Sequence, residues 1–237
     1  KFAKKFVEKN GKVDVLICSK VLEHTQKISN FFAFCNYILN ENGLIIIDVP
    51  DCQKSLEQGN VSMIWEEHIS YFTENSLNNT LSIHGFSKSY FKSFFYKQEN
   101  ALVGIYRKKK KSEIASKIKI YKDNEYLKSF KKKILFTQNT TKNFFKKLKK
   151  NNCKITMFGA GHNSIAFINY IKIKKYISFI LDDSKNKKNL TISGTKLVIK
   201  SSDYLKNIKR PVICLLALNI PIEKKIISHI KKNVKSN

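Results

Sequence analysis

Two kinds of apolar patterning alternate along the chain. The run Val13-Asp14-Val15-Leu16-Ile17-Cys18 is short and almost continuously apolar, stops at Ser19 and Lys20, and passes at once into Val21-Leu22-Glu23-His24. It reads as a buried parallel strand running straight into a helix. A helical stretch through Phe31 to Leu39 follows, with Glu41-Asn42-Gly43 as its stop, and Leu44 to Pro50 is a second buried strand. An apolar-poor insertion, Asp51 to Met63, precedes a helix from Thr73 to Leu81. Thr73 is its N-cap with Ser76 behind it, and Gly85 closes it. Two alternating runs, Ser87 to Lys97 and Ala101 to Arg107, flank the turn residues Gln98-Glu99-Asn100 and predict a hairpin.

The second half repeats the α/β alternation. Lys108 to Lys150 is basic and mostly helical, with Ile118, Tyr121, Phe130, Ile134 and Phe145 supplying apolar faces. Lys154 to Phe158 is a strand that enters Gly159-Ala160-Gly161, and His162 to Ile171 continues as a helix with Ile165, Ile168 and Ile171 on one side. Tyr176 to Asp183 reads as the next strand, ending in two carboxylates. Strand, glycine turn, helix, strand and terminal acid form a mononucleotide-binding unit, in which helix amides face a phosphate and the acid reaches a ribose hydroxyl. Glycine is also what any tight strand-to-helix turn needs, so the turn alone is weak evidence. The pattern predicts an α/β chain with two modest cores, divided at about 1–107, 108–150 and 151–237. Ligands of open α/β sheets sit beyond the carboxyl ends of strands, which puts Cys18, Ser19 and Lys20 at the rim of a crevice.

Three segments resemble one enzyme family. Val13 to His24 resembles the fourth strand and following turn of class I S-adenosylmethionine-dependent methyltransferases, commonly D-x-[IV]-x-x-x-x-V-L-E-H. Trp65-Glu66-Glu67-His68-Ile69-Ser70-Tyr71-Phe72, followed by Ser76-Leu77 and Gly85-Phe86, resembles the [YW]-x-E-H-x-x-Y-F segment of sugar C-methyltransferases acting on nucleotide-linked keto-sugars. Gly159 to Ile199, with Asn169-Tyr170, Asp182-Asp183 and Ser193-Gly194-Thr195, resembles the Rossmann-like C-terminal domain of the same enzymes. The resemblance implies the distal part of a class I methyltransferase sheet joined to a second Rossmann-like domain. It implies S-adenosylmethionine as cofactor on the side of Cys18, Ser19 and Lys20. It makes His68 the general base with Glu67 beside it, puts Trp65 and Tyr71 against the substrate, and gives Gly159, Gly161 and Asp182 the nucleotide end. Trp65 stands where the family often has Tyr. The chemistry asks for such a base: a carbon acceptor must lose the proton α to its carbonyl before attacking an electrophilic methyl, and imidazole suits that near neutrality.

Nothing before Val13 reads as the strand and glycine-rich turn that hold this cofactor, so the first domain is expected to be N-terminally truncated, and the chain alone to bind the cofactor weakly and to be inactive. Alternatives are O- or N-methylation of another small molecule, or a nucleotide-sugar-binding module attached to an inactive methyltransferase remnant. Five scattered cysteines form no Cys-x-x-Cys pair, so no metal is expected here and zinc would belong to a missing N-terminal module. They point to a reducing cytoplasm, and no apolar run approaches the ~20 residues that cross a bilayer. Lysine and arginine number 45 against 18 acids, a formal charge of +27. Only Arg107 and Arg210 are arginine, the residue that dominates bidentate recognition of bases and phosphates, so specific nucleic-acid binding is not expected. Lys231 to Asn237 is expected to fray.

Overall fold

A computed structural model of the chain describes residues 2–65, 67–96, 100–110, 123–209, 211–217 and 220–233. Gln98 and Glu99 of the expected hairpin turn, Ile118 and Tyr121 of the connector, Arg210 and most of the expected frayed end lie outside them. The chain divides into two compact units, Lys1–Gln58 with Trp65–Phe130, and Gly59–Ile64 with Lys131–Asn237. Among the described residues no helix is long and apolar enough to cross a membrane.

The first unit opens with helix α1 (Phe2–Asn10), which the apolar pattern did not announce. Strand β1 (Val13–Ser19) is followed by one 3-10 turn, Leu22–His24, rather than directly by a helix; α2 runs from Ile28 to Ile38. Strand β2 (Leu39–Pro50) begins as soon as α2 ends. The expected helix stop at Glu41–Gly43 therefore lies inside β2, where Asn42 has φ +62° and the β1–β2 register shifts between Val13 and Val15. Gly43 is needed there, because a Cβ would stand 2.9 Å from the Asn40 carbonyl. The insertion holds a short helix, α3 (Gln53–Gln58). Helix α4 (Glu74–Ile83) starts as its sequence says, with Thr73 and Ser76 forming a reciprocal capping box, and Gly85 at φ +90° lies just beyond its end.

Strands β3 (Phe86–Phe94) and β4 (Ala101–Lys108) complete a sheet of order β1-β2-β4-β3. β1 and β2 are parallel, and β4 runs antiparallel to both its neighbours. Leu22, Phe32, Ile45, Ile47, Leu77 and Tyr106 form its core, each large side chain contributing about 1.5–3 kcal/mol by burial. β1 is an edge strand, and Val15 and Ile17 are exposed, so it is less buried than its apolar run suggests. Lys108 does not belong to a basic helical segment: it ends β4 and is buried. Its Nζ is buried and donates to the carbonyls of Asn36 and Leu39 at the end of α2 and to Glu41, at 2.9, 3.0 and 3.0 Å. A cation there satisfies the orphan carbonyls and opposes the negative end of the helix dipole.

The second unit contains α5 (Asp123–Lys150) from Lys131 onward, β5 (Lys154–Phe158), α6 (His162–Tyr170), β6 (Phe179–Leu181), β7 (Ile199–Lys200), β8 (Val212–Leu216) and α7 (Ile220–Asn233). β6 is shorter than the Tyr176–Asp183 run; Tyr176 and Ile177 are buried in the approach to the strand. The four strands are parallel in the order β7-β6-β5-β8. That order reverses between β5 and β8, the point at which open α/β sheets bind ligands beyond the carboxyl ends of their strands.

Candidate functional site

In the first unit, the carboxyl end of β1 is tied down by Asp48, its parallel partner on β2. Ser19 Oγ donates to Asp48 Oδ2 at 2.7 Å, the Lys20 amide to the Asp48 carbonyl at 2.9 Å, and Lys20 Nζ lies 3.4 Å from Oδ1. Lys20 has φ +54°, the left-handed backbone that turns the chain out of the sheet. Ser19 and Lys20 are exposed at this rim. Cys18 is placed differently: its thiol is buried in the core and hydrogen-bonded to that of Cys35. That bond lowers the Cys18 pKa and, with burial, raises that of Cys35.

The same turn continues into Glu23 and His24, which sequence reasoning quoted only as part of a fold motif. The Glu23 carbonyl accepts from the Ile69 and Ser70 amides at 2.8 and 3.1 Å, and His24 Nδ1 meets the Glu67 carbonyl at 2.9 Å. Because a carbonyl can only accept, Nδ1 is the donor in this bond and Nε2 is left facing away from it. These bonds clamp the loop Trp65–Phe72 onto the 3-10 turn after β1. Within the loop, the Trp65 carbonyl accepts from the His68 amide and the Tyr71 hydroxyl, both at 3.2 Å.

His68 is thereby set among three rings, with centroids at 4.9 Å to His24, 6.1 Å to Tyr71 and 6.4 Å to Trp65. Glu67 is exposed, and its carbonyl is the part that holds His24. Glu23 is 1% exposed and neither of its carboxylate oxygens has a hydrogen-bond partner. Glu23, His24 and His68 bring ligand atoms within 4.8 Å of one another, a donor set a divalent cation could use. The His68 lone pair can serve a cation or a proton, not both.

In the second unit, Gly159 takes φ +103° at the end of β5, and its carbonyl accepts from Ser164 Oγ. Asp182 supports this turn from the end of β6. Its Oδ2 accepts from the Ala160 amide at 2.8 Å and from Lys187 Nζ at 3.2 Å, and its Oδ1 from the Ser184 amide at 2.9 Å. Burial pushes the Asp182 carboxyl up, but these bonds outweigh it and its pKa is lowered. Gly161 caps α6 with ordinary extended backbone, and a Cβ there would meet nothing within 4 Å, so the space in front of the helix terminus is open. His162 Nε2 is 2.8 Å from the Ser62 carbonyl. Beside this turn, Asp183, Ser202 and His229 form a second cluster. Asp183 Oδ2 and Ser202 Oγ both meet His229 Nε2, at 3.0 and 3.2 Å. Sharing one nitrogen, they form a staple between α7 and the sheet rather than a nucleophile relay.

A family model described as the C-methyltransferase C-terminal domain matches residues 102–236, more than half of the chain. The chain belongs to that family. A methyltransferase domain model also matches residues 1–88. No curated protein matches this C-methyltransferase family chain. Among solved structures it is similar to 1,6-didemethyltoxoflavin-N1-methyltransferase of Burkholderia thailandensis, at 16% identity and TM-score 0.33, over 41% of this chain and 44% of that one. Magnesium protoporphyrin IX methyltransferase of Synechocystis PCC 6803 gives 14% identity and TM-score 0.31, over 41% and 45%. The chain thus spans less than half the length of either structure.

Proposed function

We propose that the protein containing this chain transfers a methyl group from S-adenosylmethionine to a carbon atom of a nucleotide-linked keto-sugar. Membership of the C-methyltransferase family supports the reaction class. The observation that carries the reading is the clamping of the Glu67-His68 loop onto the Glu23-His24 turn at the end of β1. It sets an imidazole among aromatic rings at the rim where an α/β sheet binds its ligand. The cofactor fits this rim by charge: it brings an electrophilic methyl on a sulfonium, and the buried Glu23 carboxylate without a hydrogen-bond partner is complementary to a cation. Ser19 and Lys20 line the cofactor side, with Cys18 behind them in the core.

In the proposed reaction His68 removes the proton α to the sugar carbonyl, leaving a carbon nucleophile whose charge is delocalised onto the carbonyl oxygen; the cofactor, when bound beside Ser19 and Lys20, would supply the electrophilic methyl, its sulfur keeping the electron pair of the broken bond. The proton stays on His68 until it passes to water. Trp65 and Tyr71 flank the acceptor ring. Gly159 and Gly161 leave backbone access for the nucleotide diphosphate, while Asp182 holds their turn. The division of labour follows 1–107 for methyl transfer, 108–150 as a basic connector and 151–237 for the nucleotide.

Proton exchange at the acceptor carbon tests this, followed in deuterated water with a nucleotide-linked keto-sugar and no S-adenosylmethionine. His68→Asn lowers exchange and methylation by about 10²–10⁴-fold, the usual worth of a general base. Glu67→Gln gives the smaller defect, since its side chain is exposed. Wild-type exchange in His68→Asn rejects the base. Methylation without any exchange favours an oxygen or nitrogen acceptor.

A further inference from the structure

The lysines of the second unit make a feature that methyl transfer does not use. Lys142 and Lys146 stand one turn apart on α5, and Lys172, Lys174 and Lys175 follow the end of α6. With Asn169 and Tyr176 they line a cavity of about 540 Å³, within the range of small-molecule sites. No acidic residue lines it, and no ion pair among the described residues involves any of the five lysines. Like charges four residues apart on a helix repel, so five around one concavity are a standing cost that an anion would remove.

The walls are fixed in place. Gln138, buried on α5, donates Nε2 to the Tyr170 carbonyl at 2.7 Å, and Lys149 Nζ donates to the Lys175 carbonyl at 2.9 Å. The Ile173 amide returns to the Ile168 carbonyl at 3.1 Å, closing α6 with Lys172 at φ +58°. Tyr176 is buried, with the Lys175 ammonium 5.3 Å from its ring centroid. The cavity lies at the opposite end of α6 from the Gly159–Gly161 turn, so it is no extension of the nucleotide subsite.

We propose that this cavity binds the oligophosphate group of a small soluble molecule, such as a nucleoside triphosphate or inorganic tripolyphosphate. Five lysines lining one concavity carry enough charge for several phosphate oxygens, whereas a single carboxylate would leave most of them uncompensated. Ammonium groups suit phosphate as point charges, and the arginine fork that reads planar carboxylates is absent from the lining. A long nucleic-acid backbone calls for an extended basic track, and here the five lysines line a single concavity.

Calorimetric titration of the full chain with tripolyphosphate, at an ionic strength near ~0.15 M, tests the assignment. One saturable site per chain is expected. Lys142→Gln/Lys174→Gln weakens it by roughly tenfold to a hundredfold, as losing two charge-assisted contacts does. Lys5→Gln/Lys12→Gln, an equal charge change on exposed lysines of the first unit, shifts it by no more than about twofold. Without ligand all three proteins melt cooperatively at similar temperatures, which shows that the cavity variant is folded; tripolyphosphate raises the melting temperature of wild type and control but not of the cavity variant. Equal weakening in both double variants, binding at many sites, or no binding overturns the proposal. So does a DNA duplex that binds more tightly than tripolyphosphate through Lys142 and Lys174.

Discussion

Glu23 shows how a residue can be readable as sequence and unreadable as chemistry. Its place in the V-L-E-H run pointed to a strand-to-helix turn, but nothing in the run says that its carboxylate is buried without a hydrogen-bond partner or that its carbonyl holds Ile69 and Ser70. Those facts arise from a loop more than forty residues later. A buried polar group lacking hydrogen bonds is expensive, so Glu23→Met, which keeps the volume and removes the polar atoms, is expected to stabilise the chain by about 1–3 kcal/mol in a thermal melt. A stability loss would show that the carboxyl group has a compensating partner. That the rings of His68, Trp65 and Tyr71 gather was legible because they share one local motif, while Cys18 was expected at the rim because strand ends carry ligands. The alternation of side chains along a strand turns its thiol to Cys35 instead. At Gly161 the open space in front of α6 separates two roles. Gly161→Val is expected to leave the melting temperature near wild type and to abolish the thermal shift given by nucleoside-diphosphate sugars, whereas an unchanged shift rejects phosphate binding at that turn.

Elements with a local signature were read closely, and those defined by distant partners were not. The start of α4 was fixed by Thr73 and Ser76, because a capping box is satisfied within four residues. Thr73→Ala is therefore expected to cost about 1 kcal/mol in chemical denaturation. By contrast, α1 and α3 carry few buried side chains and so leave little periodicity to read. The Glu41–Gly43 stop was misplaced because β2 captures those residues through pairing with β1, a contact invisible to local propensity. Lys108 looked like one more member of a basic run until the end of α2 was seen to need a cation. On β4, a Cβ at Gly104 would overlap the ring of Tyr106, which is fully buried and donates to Asn78 at 2.8 Å. Gly104→Ala is expected to destabilise the first sheet by about 1–3 kcal/mol, the usual cost of overpacking, in the same assay.

For the whole molecule, acid should act on the two units in sequence. Burial against Phe32, whose ring stacks 4.6 Å from that of His84, lowers the His84 pKa below the ordinary imidazole value. A depressed histidine binds fewer protons folded than unfolded. Its contribution is intact above about pH 6.5 and declines as the pH falls from there towards the folded value. Asp182 is also lowered, so its contribution is intact above about pH 3.9 and is lost only below it. Amide protection factors, corrected for the intrinsic slowing of exchange with falling pH, are expected to drop first in α2 and α4 and only later in β5 and β6 between pH 7 and 3; simultaneous loss would contradict the assignment. Residues 59–64 belong with the second unit, where the Ser62 carbonyl meets His162 and a Cβ on Gly59 would stand 2.7 Å from that of Lys133. The chain thus enters the second unit twice, with 66 residues of the first unit between the visits. A genetic crossover within that interval would pair one lineage's residue 59 with another lineage's residue 133, a contact that has room only for glycine. A hybrid assembled at a single junction there keeps that seam only if both lineages match at it.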